Sequence, residues 1–254
     1  MCIRDRDIDF KKCIYLDKDM IQGIKLEMKG VRLYNNIGVI EQCDDKRRTY
    51  ELLKKDFKLP ETISGPLTYF YDESSSKSFC KKVVKRLGLP LIAKFAYGSL
   101  GENIVKIETL EQLIEYNRLN YQTPLLYQKY IKESSGKDIR VYVVGGTAVA
   151  AMSRENDGDF RANVSLGGKA ENIELTPEIC EIAESAASFL RLDYCGVDLL
   201  YSKDSVPYIC EINSNALFDK ISEVSGINIA RIIARMITED DLSVVSVDIN
   251  EIFS

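Results

Sequence analysis

The 254-residue chain predicts an α+β fold. Three features carry that expectation. Two hairpin signals mark antiparallel sheet: KDIRVYVV and TAVAAMSRE flank Gly145–Gly146, and GVDLLY and VPYICEIN flank a short SKDS turn. Amphipathic helical stretches stand between the strand runs. Residues 12–40 read as strand, helix, strand, like the closing part of an α/β domain whose beginning is missing.

The elements run in order along the chain. CIYL, DMIQGIKLEMKG and VRLYN make the opening strand–helix–strand, ending near residue 40. Asp44, Asp45 and Lys46 lead into a charged helix with Tyr50, Leu53 and Phe57 along one side. Leu59–Pro66 reads as a turn-rich connector. SSSKSFCKKVVKRLGLP predicts a helix with serine caps, the stripe Phe79, Val83 and Leu87, and a stop at Gly88 and Pro90. LPLIAKF and NIVKI are strands around a loop with Gly98 and Gly101. Thr109 caps a helix over TLEQLIEYNRL, and PLLYQKYI is the next strand. After the first hairpin, NDGDFRANVSLGGKA has the length and composition of a functional loop. Thr176 and Pro177 start a helix that buries Ile179, Ile182, Ala183, Ala186, Phe189 and Leu190. A helix over INIARIIARMI closes the fold ahead of a tail.

Composition removes whole classes of chemistry. The chain contains no histidine. That excludes Ser/His/Asp triads, Cys/His dyads, HExxH zinc sites and every imidazole base. Seven cysteines are present, with wide spacings and no CxxC. They read as reduced, buried small hydrophobes of a cytoplasmic protein. The formal charge of −5 points to neither nucleic acid nor an anionic membrane surface. No apolar run has the length of a membrane span. The opening MCIRDR does not fit the rest of the chain, and no role falls to Cys2.

The second hairpin carries the sharpest chemical signal. With Ser202 and Pro207 flanking the turn, Asp198 lies opposite Glu211, and Asn213 joins the same face two residues on. Val197, Leu199, Cys210 and Ile212 then form the apolar back. Oxygens of two carboxylates and an amide suit a hard divalent cation shared with phosphate. A solvated polar strand face accounts for the same spacing. Lys94, followed by Gly98-Ser99-Leu100-Gly101, suits a polyphosphate held by charge and backbone N–H groups, although neither GxxxxGK[ST] nor GxGxxG is present. Arg140 alternates with Val141 and Val143 and so faces away from them. Arg161 and Asn163 sit in the glycine-rich loop, where a guanidinium fork suits phosphate or carboxylate.

In order, Lys46, IAKFAYGSLG, LLYQKYIKESSGKDIRVYVVGG, GDFRANVSLGG, YCGVDLL and CEINSNA resemble the ATP-grasp superfamily, and within it the RimK-like ligases of the ribosomal-S6-modification type. The similarity runs from about Cys13 to Ile237. It implies an ATP-grasp fold, two α+β subdomains gripping ATP, preceded here by a partial α/β domain. The expected divisions are 1–44, 45–126, 127–242 and a tail at 243–254. It implies an ATP- and Mg²⁺-dependent (or Mn²⁺-dependent) carboxylate–amine ligase working through an acylphosphate, which needs no histidine. Carried over by position, Asp198, Glu211 and Asn213 are the metal ligands. Lys46 and Lys94 contact nucleotide, and Gly98, Ser99 and Gly101 form the lid over the phosphates. Gln128, Lys129, Tyr130 and Ile131 meet adenine, and Asp138 contacts nucleotide with Glu133 as its rival for the ribose. Arg161, Arg140 and Asn163 are the catalytic set.

The partners implied are a small-molecule, peptide or protein carboxylate and an amino-acid amine, with no nucleic acid and no membrane. Three departures stand out. Lys129 replaces a usual glutamate, and Ser165 and Leu166 replace basic or imidazole side chains, which leaves glutamate one candidate among the added amino acids. SNALFDKIS replaces ASPGLEGIE after Asn213. The front domain is short, and an unpaired sheet edge there would favour a homo-oligomer. A peptide- or glutathione-synthase-like ligase, and a nucleotide-binding module without turnover, share the same nucleotide residues.

Overall fold

The computed structural model describes residues 10–99, 101, 103–162, 167–203 and 206–239. The opening segment folds as β1 (Lys12–Ile14), α1 (Met20–Met28) and β2 (Arg32–Tyr34), with the two strands parallel. Tyr15, Val31, Leu33, Ile37 and Ile40 make its small core. The second strand ends earlier than its apolar run suggests. Asn36 accepts the Val39 N–H and caps a helix, α2 (Ile37–Asp44), so residues 37–40 are helical. Asp45 accepts the Arg47 N–H and starts α3 (Lys46–Leu53).

A four-stranded sheet comes next. Within the predicted connector lies a strand, β3 (Thr62–Ser64). After it come α4 (Glu73–Leu87), β4 (Leu91–Phe95), β5 (Ile104–Ile107), α5 (Leu110–Asn120) and β6 (Leu125–Lys129), in the sheet order β3-β6-β4-β5. The cap of α4 is Asp72, which accepts the Ser75 N–H, and not a serine. Thr109 and Gln112 form a reciprocal capping box on α5. Leu91, Ala93, Leu125 and Tyr127 meet Cys80, Val83, Leu87 and Leu113 beneath the two helices. Alternation therefore sends Ile92, Lys94 and Gln128 to the opposite face.

The remaining strands are β7 (Lys137–Val144), β8 (Thr147–Glu155), β9 (Lys169–Ile173), β10 (Tyr194–Tyr201) and β11 (Pro207–Asn213), in the order β11-β10-β7-β8-β9. Gly145 and Gly146 take φ values of +57° and +81°, the left-handed pair that a two-residue hairpin requires. The helix α6 (Pro177–Leu190) covers one face, packing Ile179, Ala183, Ala186 and Leu190 on Val141, Val143, Val197 and Leu199. Phe189 does not join that face. It stays half exposed, edge-on to Phe57 with ring centroids 5.8 Å apart. The short helix α7 (Asp219–Ser225) and the amphipathic α8 (Ile229–Thr238) cover half of the other face over Tyr142, Val144 and Met152.

The second hairpin contains a bulge. Asp198 does pair with Glu211, but Leu199 pairs with Ile209 and Tyr201 with Pro207, leaving Cys210 as the extra residue. Ile209 takes the core position expected for Cys210, and Cys210 turns toward the cleft between the two larger sheets. The six described cysteines, Cys13, Cys43, Cys80, Cys180, Cys195 and Cys210, are all free thiols. Burial pushes Cys43 up to about 12 and Cys210 up to about 11. Among the described residues, no helix is long and apolar enough to cross a membrane.

Asn35 ties the opening segment to the five-stranded sheet. Fully buried, it donates to the carbonyls of Tyr194 and Ser214, both at 2.8 Å, and accepts from the Asp193 N–H at 2.6 Å. Asn35→Ala leaves those buried groups unpaired and is expected to lower the unfolding free energy by about 3 kcal/mol. A urea titration tests this, and an unchanged midpoint would remove Asn35 as the tie.

Candidate functional site

The charged half of β7 explains where the site lies. Along KDIRVYVV, Ile139, Val141 and Val143 enter the core under α6, so Asp138, Arg140, Tyr142 and Val144 share the other face. Tyr142 and Val144 lie under α7 and α8, while Asp138 and Arg140 lie beyond that cover and open on a cleft. The far wall is the face of the four-stranded sheet that carries Lys94 and Gln128. The cleft spans about 990 Å³ counted to its open mouth.

Lys46, Lys94, Gly98, Ser99, Gly101, Gln128, Lys129, Tyr130, Ile131, Asp138, Arg140, Arg161, Asp198, Glu211 and Asn213 all line this one cleft. Glu133 lies outside it, in a 3-10 turn at Lys132–Ser134, with its carboxylate 3.9 Å from Lys203. Asn163, Ser165 and Leu166 lie outside the described residues, as do Leu100, residues 1–9 and the tail. Sequence reasoning missed Arg154, Tyr97 and Phe160, which also line the cleft.

A row of charges crosses the sheet. Arg140 lies opposite Asp198 and donates from Nε at 2.7 Å and Nη2 at 2.8 Å. Arg154 lies opposite Asp138 and grips it from Nε at 2.6 Å and Nη2 at 2.7 Å. The same Nη2 reaches Asp198 Oδ2 at 3.0 Å, so Arg154 bridges two carboxylates. Burial pushes the Asp198 carboxyl up, but Arg140 and then Arg154 outweigh it and hold it at about 2. It is ionised at neutral pH. Glu211 lies beside it with Lys46 Nζ 3.5 Å from Oε1, and the Asn213 amide stands 3.5 Å from Asp198 Oδ2.

This donor set fits a hard divalent cation. Asp198 and Glu211 offer carboxylate oxygens and Asn213 an amide oxygen, and Asp198 Oδ1 keeps a lone pair beyond its one contact with Arg140 Nε.

The loop at Gly98–Gly101 forms the roof. Lys46 Nζ donates to the Gly98 carbonyl at 2.6 Å, and Arg161 Nη1 to the Gly101 carbonyl at 2.8 Å. Arg161 is itself clamped by Asp159, from Nε at 3.0 Å and Nη2 at 2.6 Å. The Gln128 side chain donates to Thr62 Oγ1 at 3.0 Å, so it braces β3. Lys129, Tyr130 and Ile131 follow it along the cleft lining. Among the described residues, seven cationic and three acidic ones line it, a cationic surface in a chain of net charge −5.

Gly136 holds the Arg161 loop. Its φ is +69°, its N–H donates to the Phe160 carbonyl at 2.8 Å, and an added Cβ would lie 2.4 Å from the Asn156 carbonyl oxygen. Gly136→Ala is expected to lower stability by about 2 kcal/mol. Thermal unfolding checks this, and an unchanged midpoint would remove Gly136 as the anchor of the Arg161 loop.

Comparison with known proteins shows what the chain as a whole is similar to. Residues 43–237 match the RimK-like ATP-grasp domain. A probable alpha-L-glutamate ligase of Methanococcoides burtonii is 37% identical over 84% of this chain and 69% of its own length. Human N-acetylaspartylglutamate synthase A is 34% identical over 86% of this chain, which spans 55% of that protein. Among solved structures, the ATP-grasp ligase PsnB, complexed with a phosphomimetic variant of its minimal precursor, Mg and ADP, superposes with a TM-score of 0.62 at 19% identity. That match covers 87% of this chain and 66% of PsnB, and it shows a shared fold.

Proposed function

Since the chain belongs to the RimK-like ATP-grasp family, we propose that it joins a carboxylate to an amine with ATP as phosphoryl donor. The observation that carries this is the cross-strand pair Asp198–Glu211 facing Lys46 and Lys94 across one cationic cleft. In the proposed reaction an acceptor carboxylate oxygen attacks the γ-phosphorus, and the bond to ADP breaks. An acylphosphate results. The amine nitrogen then attacks the acyl carbon, phosphate leaves, and the nitrogen loses a proton. None of these steps requires an imidazole.

Each side chain has a task that its placement supports. Lys46, Lys94 and Arg161 bind phosphate oxygens beneath the Gly98–Gly101 roof. Asp198, Glu211 and Asn213 hold Mg²⁺ or Mn²⁺, which when bound supplies charge neutralisation on the transferring phosphoryl group. Arg140, fixed by Asp198, offers charge to the acyl end, and Asn163, two residues after Arg161 in the sequence, contributes there as well. Lys129, Tyr130 and Ile131 receive adenine. Asp138 takes the ribose in preference to Glu133, which lies outside the cleft. The units 45–126 and 127–242 close on the nucleotide from two sides, with β6, at the boundary in sequence, belonging to the four-stranded sheet.

Glutamate is named in both curated relatives, and we assign it as the amine. The acceptor is a small-molecule, peptide or protein carboxylate. The reaction takes place in the cytoplasm, and the opening two-stranded sheet offers an edge for self-association.

Incubation with ATP, Mg²⁺, glutamate and candidate carboxylates, followed by mass spectrometry, tests the reaction. Nucleotide binding without ADP and amide product from any mixture would falsify it. Glu211→Gln is expected to lower turnover about 100-fold with an unchanged circular dichroism spectrum. Wild-type affinity for the metal–nucleotide complex in that variant would remove Glu211 as a ligand. Lys94→Ala is expected to weaken ADP binding about tenfold by calorimetry, and an unchanged constant would take Lys94 out of the site.

A further inference from the structure

Arg154 is 5% exposed, and its contacts are two carboxylates of the cleft wall. Deep in the lining of the cleft, with its guanidinium taken up by these two partners, it acts through Asp138 and Asp198. Together with Arg140 it places guanidinium groups on both Asp198 oxygens, at 2.7 Å, 2.8 Å and 3.0 Å. The third carboxylate, Glu211, has Lys46 at 3.5 Å and Lys94 in the same cleft lining. Three carboxylates thus face Arg140, Arg154, Lys46 and Lys94, an excess of positive charge. Among the described residues, no three Asp, Glu or Cys side chains converge to hold a metal ion by themselves.

A bare divalent cation entering this cleft meets net repulsion. A polyphosphate adds several negative charges at the Lys46–Lys94 side and reverses the sign of the field. We propose, resting on the assignment of Asp198, Glu211 and Asn213 as metal ligands, that Arg154 is a positioning residue which makes divalent-cation binding conditional on a bound polyphosphate, because its guanidinium, shared between Asp138 and Asp198, tips the cleft to an excess of positive charge. It is the only contributor to that balance on β8, and it reaches both carboxylates at once because Asp138 lies directly across the hairpin from it. The device keeps the cleft from loading metal ahead of nucleotide.

Mn²⁺ binding, followed by the electron paramagnetic resonance signal of the unbound ion, tests this without any turnover. The wild-type chain should bind Mn²⁺ in the presence of ADP and show little binding without it. Arg154→Met should bind Mn²⁺ without nucleotide about tenfold more tightly than wild type. The gain should vanish when Glu211→Gln is added. Since Arg154→Met strands the Asp138 carboxylate, the pair Asp138→Asn with Arg154→Met serves as the variant that protects folding, and it should shift in the same direction by a smaller amount, because the cation removed lies directly against Asp198 whereas the carboxylate removed with it is held on Arg154. Equal nucleotide-free affinity in wild type and both Arg154 variants overturns the proposal while leaving the ligand assignment standing. A gain that survives Glu211→Gln overturns it as well, since the ion then sits elsewhere. If wild type binds no Mn²⁺ even with ADP, the ligand assignment itself falls, and the role of Arg154 falls with it.

Discussion

The carboxylate of Asp198 is nearly out of water, and two guanidinium groups hold it there. Withdrawing an ion from water costs several kcal/mol, and only close, well-directed partners offset that cost. Arg140 and Arg154 supply them from two neighbouring strands, so the middle of the five-stranded sheet is set by charge pairing on one face and by aliphatic packing on the other. This arrangement explains why one face of β7 can be polar at its start and buried under helices at its end. The charged half needs the cleft, and the apolar half needs α7 and α8.

The cleft has a second constraint in its roof. The cations suited to phosphate, Lys46 and Arg161, are hydrogen-bonded to the carbonyls of Gly98 and Gly101. A phosphate that drew on either cation would compete with the roof contact, so roof position and phosphate occupancy are linked through shared donors. Behind the sheet, Asn35 connects the opening segment to the backbone at Ser214, next to Asn213. The small parallel pair therefore bears on the site although none of its residues lines it.

Strand alternation made half of the site legible in the sequence. The VYVV run dictates that Arg140 faces away from the α6 core, and a short turn after Tyr201 brings Asp198 near Glu211. Two bulges hid the rest. Counting back from Gly145–Gly146 without interruption pairs Asp138 with Ser153 and turns Arg154 to the wrong face. The inserted Val149 shifts the register by one and brings Arg154 opposite Asp138. The bulge at Cys210 does the same in β11: the uninterrupted count puts Cys210 in the core, and the structure puts Ile209 there. Shape explains that choice. An isoleucine fills the space under α6, whereas a small thiol beside the cleft leaves room for Lys94 and Glu211.

By itself, the sequence determined which chemistry is open to the chain. Without histidine, with paired carboxylates, lysines and arginines in a particular order, it pointed to charge handling by metal and cations, and to the α+β elements that carry them. It determined the helix cap at Thr109 as well, because capping is a matter of three or four adjacent residues. The tertiary structure decided which charges meet. Arg154 and Asp198 are far apart in sequence and lie on strands separated by β7, and only the bulged register sets them 3.0 Å apart. Local sequence specifies what a residue can donate or accept. Pairing a buried charge is a long-range problem, settled by whichever register leaves no carboxylate without a partner.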